Sequence, residues 1–310
     1  SSIQKVTEEV ILKLIKSIKK DTGENNLCMA GGVALNCVAN GVIQRENIFE
    51  NIWIQPAAGD AGGSLGAALA SYYLDYDKER KIPKSIDSMN GSYLGPSFND
   101  KEIESSLNSL GAKYTQYTYD KTIEITSKLL TEGKAIGWMQ GNMEFGPRAL
   151  GNRSILADPR SDKMQKQLNL KVKYRESFRP FAPSVLRHNL HEWFDIDVDS
   201  PYMLVVAEVK KNRRKNMSSS ENKLFGIEKL NIPRSEIPAI THIDYTARIQ
   251  TVHEETNKKY HDLISSFYSL TGCPILVNTS FNVRGEPIVC SPDDAFNCFM
   301  GTELDALVVN

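Results

Sequence analysis

The chain has 310 residues, with 37 Lys and Arg against 38 Asp and Glu and a formal net charge of -1. Its length exceeds the usual single core, so two domains are expected, and a charge this even argues against a general nucleic-acid binder, whose affinity rests on many phosphate contacts. No apolar run approaches the length of a membrane span and the opening SSIQKVTEEV lacks a signal pattern, so the expectation is a cytoplasmic protein of ordinary globular composition.

In chain order, apolar residues at 6, 10, 11, 14, 15 and 18 predict an amphipathic helix with its lysines outward. A short apolar run, Leu27 to Ala30, then enters Gly31-Gly32-Val33-Ala34-Leu35-Asn36, and Cys37 to Gln44 reads as a helix. Strand, glycine pair and helix start suit either a tight packing turn or a phosphate cradle, because glycine removes the side-chain barrier and a helix N-terminus offers free N–H groups. Asn51 to Gln55 is a second strand, followed by a small-residue helix from Gly62. Asp60 at its mouth could cap that helix or ligate a cation.

Residues 75 to 91 are charged and aperiodic and carry Pro83 and Gly91, so a domain linker is placed there. Beyond it, Asn99-Asp100 caps a helix to Leu110, Lys113 to Tyr119 alternates as a strand, and Asp120 caps a helix ending near Glu132. Ala135 to Met139 is a strand leading into Met143 to Arg160, MEFGPRALGNRSILADPR. Between Arg148 and Arg187 there are ten Lys or Arg against three acids, Asp158, Asp162 and Glu176. They are interleaved with Gly, Pro, Asn and Phe rather than with Glu at helical spacing, which favours an anion site over a salt-bridged helix face. The two glycines of GPRALG are expected to let backbone approach a ligand.

Pro201 to Val209 reads as a strand, and Lys210 to Lys223 as a mobile polar surface loop whose basic residues are a second place for RNA or an acidic partner to touch. His242 and Arg248 follow in THIDYTARIQ, and a helix spans Tyr260 to Thr271. Pro274 to Asn278 is a buried strand delivering the loop Thr279 to Pro287, whose hydroxyls, amides and arginine suit a phosphate with a base or ribose. A helix from Pro292 and a strand from Asp305 to Val309 close the chain. His188 and His191 could share a helix face, but Trp193 and Phe194 beside them favour packing over metal binding. Cys28, Cys37, Cys273, Cys290 and Cys298 lack any CxxC spacing and read as buried free thiols. No GxxxxGK[ST], GxSxG or HExxH is present.

Six stretches in order resemble the carbamoyltransferase family of nodulation protein NodU and the antibiotic O-carbamoyltransferases: GGVALN, QPAAGDAGGSLGAAL, MEFGPRALGNRSILADPR, KYRESFRPFAPSVL, THIDYTARIQTV and CPILVNTSFNVRGEP. The resemblance implies an α/β and α+β chain: residues 1–90 as the C-terminal part of an actin/sugar-kinase-like domain, then residues 91–310 as a YrdC-like domain. It implies carbamoyl-adenylate formation from ATP, with Mg²⁺, and carbamoyl phosphate, then transfer of the carbamoyl group to a small-molecule hydroxyl acceptor, a sugar or natural product. Lys173 and Arg175 match the family's KxR and Ser280 and Asn282 its SxN; with Arg148 and Arg284, Lys173 and Arg175 are the expected catalytic groups. Arg153, Ser154, Arg179, Arg248, Asn278, Ser280 and Asn282 are the expected nucleotide and carbamoyl-phosphate contacts. The sharing of roles among the arginines rests on charge alone. Gly31, Gly32 and Asn36 match the nucleotide-contacting GGVxxN, and Asp60 a ligand of the active-site metal, Fe²⁺ or another divalent ion.

The family's HxxxH metal pair is missing, since no histidine precedes His188, and so is the first phosphate loop of the actin-like fold. The chain is therefore expected to be a C-terminal fragment in which Asp60 lacks partners. The acceptor and the oligomeric state stay open, a homodimer included. Rival readings are threonylcarbamoyl-AMP synthesis for tRNA, which uses threonine and bicarbonate, and a nucleotide- or RNA-binding module without turnover.

Overall fold

A computed structural model describes residues 2–81, 87–230 and 232–310. The amino-terminal part is a βαβ unit with a leading helix. Helix α1 (Ser2–Thr22) precedes strand β1 (Asn26–Met29), α2 (Cys37–Arg45), β2 (Asn51–Ile54) and α3 (Asp60–Ala70). β1 and β2 pair in parallel, Leu27 opposite Ile52, as a crossover through a helix requires. Contrary to the expected orientation, α1 buries only a narrow stripe. Ile15, with Ile11 and Leu12 beside it, packs on Leu27, Ile43 and Phe49, whereas Val6, Val10, Leu14 and Ile18 are exposed.

The rest of the chain builds one mixed sheet. In order come α4 (Asp100–Ser109), α5 (Tyr119–Thr131), β3 (Ile136–Met139), β4 (Arg153–Ala157), α6 (Met164–Lys171) and β5 (Ala182–Leu186). The short α7 (Leu190–Trp193), β6 (Val205–Glu208), and the short α8 (Ser219–Asn222) and α9 (Gly226–Leu230) follow. Strand β7 (Thr246–Val252), α10 (Lys258–Thr271), β8 (Ile275–Ser280), α11 (Pro292–Met300) and β9 (Ala306–Val309) complete the fold. The strand order is β6-β7-β5-β8-β4-β3-β9. β3–β9 and β5–β7 are parallel, and the other neighbours antiparallel. Every residue of β3, β4 and β5 is buried, so both faces of the sheet centre are covered. Capping boxes start α4, where Asn99 and Glu102 exchange bonds, and α11, where Ser291 and Asp294 do so.

Several expectations change. Residues 113 to 118 form no strand: the Tyr114 hydroxyl donates to Asn108 and Gln116 Nε2 to Glu104, which hold the segment on α4. A groove of about 430 Å³ then separates it from edge strand β9. The strand expected from Pro201 begins only at Val205. Cys28 is exposed rather than buried, although all five cysteines are free thiols. The expected linker lies partly outside the described residues; at its far end Asp87 accepts from the N–H groups of Met89 and Gly91 and from the Tyr202 hydroxyl. Among the described residues no helix is long and apolar enough to cross a membrane.

The two parts meet through an apolar cluster in which Ala34, Ile54 and Ala58 pack with Leu150, Tyr202, Met203 and Leu204. Asn40, buried on α2, donates to the carbonyls of Ala34 and Leu204 at 2.8 and 2.9 Å and so ties the helix to both sides. At Gly41 the approach is closer still, since a Cβ there would lie 2.2 Å from the Val206 carbonyl oxygen. Gly41→Ala is therefore expected to lower stability by about 2 kcal/mol or more, the cost of overpacking. Gly63→Ala, on α3 with nothing within 4 Å of the added methyl, is expected to raise it by roughly 0.5–1 kcal/mol through helix propensity. Denaturant midpoints of the two variants check both signs.

Candidate active site

The loop between β3 and β4 carries Arg148, and its shape is set from inside. The buried Glu144 carboxylate accepts the N–H groups of Leu150, Asn152 and Arg153 on one oxygen, at 2.7, 2.8 and 3.2 Å. Carbonyls of the same loop are taken from the opposite side. Gln250 Nε2 and the Tyr93 hydroxyl donate to Leu150 O at 2.7 and 2.8 Å, and Asn278 Nδ2 donates to Ala149 O at 3.2 Å. The glycines meet protein instead of ligand: with φ of 138° and 111°, Gly146 approaches the Pro56 carbonyl and Gly151 the Tyr260 ring.

Arg153 is also absorbed by this loop. It is fully buried, and its guanidinium donates to the carbonyls of Gln140, Gly141, Asn152, Pro96 and Cys290, which leaves no fork for an anion. Ser154 is fully buried and accepts from Gly151 N–H. Asn278 is buried in a cross-strand network with Ser184 and Gln250. These three side chains stand behind the site and support it.

What faces outward is a chain of cations. Lys173, Arg175, Arg179, Ser280, Asn282 and Arg284 line a cavity of about 240 Å³. The KxR pair is aimed there by the turn after α6, where Tyr174 sits at φ 47° and Arg175 Nε donates to Asn169 Oδ1 at 2.6 Å while its guanidinium stacks on Phe181. Lys173, 5% exposed, donates to the Ser280 carbonyl, to Ser280 Oγ at 3.3 Å, and to Asn282 O and Oδ1 at 2.8 and 2.7 Å. Ser280 Oγ in turn donates to Asn282 Oδ1 at 2.7 Å, so the KxR and SxN motifs form one bonded unit. Arg148 and Arg248 form a second group near Cys37 at the start of α2. The Nε of each is buried without a hydrogen-bond partner, and neither makes a salt bridge among the described residues.

The cations depress one another along this line. Burial first, then Arg175, brings Lys173 down to about 7. Burial, then Arg179, brings Arg175 to about 10. Burial, then Arg148, with Arg179 also contributing, brings Arg248 to about 10. Arg179 thus stands between the two groups and joins them. Glu176 lines the same cavity and partly offsets the shift of Arg175, but no carboxylate forms a salt bridge with these cations among the described residues. Positive charge buried this way is costly, and an anionic ligand offsets that cost.

The amino-terminal candidates are placed differently. Gly31 turns the chain at φ 95°, and the space over Gly31 and Gly32 is open to 4 Å. Asn36 caps α2 through Ala39 N–H and exchanges hydrogen bonds with Gln4. Asp60 is the exposed first residue of α3, and Gly59 holds the capping position. Among the described residues no group of three or more His, Cys, Asp and Glu gathers around it or anywhere else. One carboxylate does not make a site for Fe²⁺. In the basic loop after β6, Arg213 stacks on Trp193 and pairs with Glu236, and Arg214 stacks on Tyr245 and pairs with Glu208, although the Arg213 Nε is buried without a partner.

Family comparisons agree with the motif order. A sequence model for the Carbamoyltransferase C-terminus matches residues 127–310, and one for the Carbamoyltransferase N-terminus matches residues 1–69. An uncharacterized protein of Synechocystis sp. is 56% identical over all of this chain and 50% of its own length. Nodulation protein NolO of Bradyrhizobium diazoefficiens is 40% identical over all of this chain and 53% of its own, and nodulation protein U of Rhizobium fredii 30% identical over 85% and 39%. The chain thus spans about half the length of the first two of these curated relatives. Among solved structures, full-length HypF in its phosphate- and nucleotide-bound form aligns with a TM-score of 0.37 at 13% identity, over 84% of this chain and 36% of that one, a likeness too low to carry an argument.

The depressed Lys173 gives the cavity a proton signature. With Lys173 brought down to about 7, its amine is expected to be largely neutral at pH 8, and a bound anion favours the charged form, so binding of inorganic phosphate in this cavity is expected to take up close to one proton. Affinity falls as pH rises above about 7. Calorimetry in two buffers of different ionisation enthalpy measures the uptake, and Lys173→Ala is expected to abolish it.

Proposed function

Because the chain belongs to the carbamoyltransferase family, we propose that residues 91–310 act as a YrdC-like domain that forms carbamoyl-adenylate from ATP and carbamoyl phosphate. Residues 1–90 are, in this proposal, the C-terminal part of an actin/sugar-kinase-like domain that passes the carbamoyl group, in the whole protein, to a hydroxyl of a sugar or natural product. The reaction is set in the cytoplasm. The observation that carries the reading is the line of five cations, Lys173, Arg175, Arg179, Arg248 and Arg148, with no salt-bridged carboxylate among the described residues.

The chemistry needs such a line. Water hydrolyses carbamoyl phosphate to carbamate and inorganic phosphate, and a carbamate oxygen then bonds to the α-phosphorus of ATP as the bond from that phosphorus to the β-phosphate oxygen breaks and pyrophosphate leaves. Two anions must approach each other. The barrier falls when fixed cations and N–H donors neutralise them and hold oxygen and phosphorus in line. Free carbamate decomposes in water, so a walled cavity is required. In this assignment Lys173, Arg175, Ser280 and Asn282 hold the carbamoyl phosphate and the carbamate derived from it. Arg148 and Arg248 take the triphosphate, with Arg179 shared and Arg284 closing from the exposed loop. ATP enters as its Mg²⁺ complex. The glycine turn at Gly31 and Gly32, open above, is assigned to nucleotide contact in the whole kinase-like domain.

Pyrophosphate release from ATP and Mg²⁺ tests the reading. Release is expected with carbamoyl phosphate and not with threonine plus bicarbonate. Lys173→Ala and Arg148→Ala are each expected to lower it by about 10²-fold or more, the usual worth of a preorganised group in such a site. Unchanged release in Lys173→Ala would remove that residue from the site, and release only with threonine plus bicarbonate would replace the carbamoyl-phosphate reaction.

A further inference from the structure

Arg148 is held in place from its backbone, not from its side chain. Its guanidinium makes no salt bridge among the described residues, and its Nε has no partner. Two residues downstream the backbone is seized on both edges. Glu144 Oε1 collects the N–H groups of Leu150, Asn152 and Arg153, while Gln250 and Asn278 take the carbonyls of Leu150 and Ala149. Before Arg148, Phe145 exchanges backbone and side-chain bonds with Ser92 at 2.7 and 2.5 Å.

A carboxylate is an expensive choice for a buried loop staple, because its desolvation must be offset by donors. Here it is 7% exposed with no salt-bridged cation among the described residues, and its three backbone N–H bonds offset only part of the burial, which still holds the carboxyl above its ordinary range. No other carboxylate lies in this loop, and nothing else accepts the N–H groups of Leu150 and Asn152. We propose that Glu144 is a positioning residue: by gathering these three N–H groups it fixes the turn that presents Arg148 beside Arg248, and so sets the anion affinity of that end of the site. The proposal rests on the reading above that Arg148 contacts an anion. It does not require that the reaction be carbamoyl-adenylate formation.

A double-mutant cycle with inorganic pyrophosphate as ligand, measured by titration calorimetry at fixed ionic strength, tests the assignment. Arg148→Ala is expected to weaken binding about ten- to a hundredfold, the worth of a charge-assisted hydrogen bond. Glu144→Ala is expected to lose a comparable factor, and the double variant to bind no more than about twofold worse than Arg148→Ala alone. Glu144→Gln keeps an oxygen that can accept the same N–H groups and is expected to stay within about threefold of the parent protein. If Glu144→Ala does not fold, Glu144→Asp takes its place in the cycle, since it keeps the charge and draws the acceptor back by one methylene. Additive losses, wild-type affinity in Glu144→Ala or Arg148→Ala, or a Glu144→Gln as weak as the alanine variant would each overturn the proposal. Absence of carbamoyl-phosphate-dependent pyrophosphate release would sink the reaction reading while leaving this cycle to be judged by its own numbers.

Discussion

Three N–H groups converging on one buried oxygen of Glu144 are the constraint from which the site follows. With them in place, the chain between β3 and β4 folds back so that the Trp138 indole donates to Gly151 O and Arg153 plugs the loop's interior by binding carbonyls. Asn257, the cap of α10, reaches Asn152 at 2.8 Å, and Gly151 lies flush against Tyr260 of the same helix. The loop is therefore wedged between the sheet and α10. Only Arg148 and its immediate neighbours are left to face the junction with the amino-terminal part.

Opposite this rigid loop is a site whose electrostatics are unbalanced by design of the chain. The bulk of the protein is nearly neutral, yet Lys173, Arg175, Arg179, Arg248 and Arg148 come from three separated segments and gather with a single acid, Glu176, lining their cavity and no salt bridge to any of them among the described residues. Elsewhere the same residue types are neutralised in the ordinary way. Arg160 forks onto Asp158, and Arg213 pairs with Glu236 and Arg214 with Glu208 through one nitrogen each, all three in part over an aromatic ring. The contrast between paired and unpaired arginines from Arg148 to Arg248 separates scaffold from site better than the count of basic residues does.

Much of this was legible before any coordinates. Periodicity located the helices at Asn99, Asp120 and Pro292 because hydrophobic spacing is a local property, though Asp120 is not the expected cap: Thr118 holds that position and Asp120 lies in the first turn. The KxR and SxN motifs were found through the family resemblance, and the structure joins them through Lys173. Glu144 and Gln250 were missed, since an acid or amide within a motif gives no sign that its partners are backbone N–H and C=O groups. Arg153 shows the limit from the other side: it has the same charge and the same motif as Arg148, and only burial tells that its donors are spent inside. Strands β4 and β5 escaped notice because RSILA and APSVL are short, lie at a sheet centre covered on both faces and lack alternation. Residues 113 to 118 had the alternation without the partner strand.

Two glycines place backbone directly against backbone where the parts of the chain meet: Gly41 under the Val206 carbonyl and Gly146 against that of Pro56. At these points no side chain intervenes whose size could be adjusted. The consequence concerns exchange of segments between related proteins. A segment carrying one member of either contact fits a foreign partner provided that the glycine survives, because main-chain atoms are the same in every sequence. The spacing at these two points is thereby set by main chain alone, whatever side chains surround the junction.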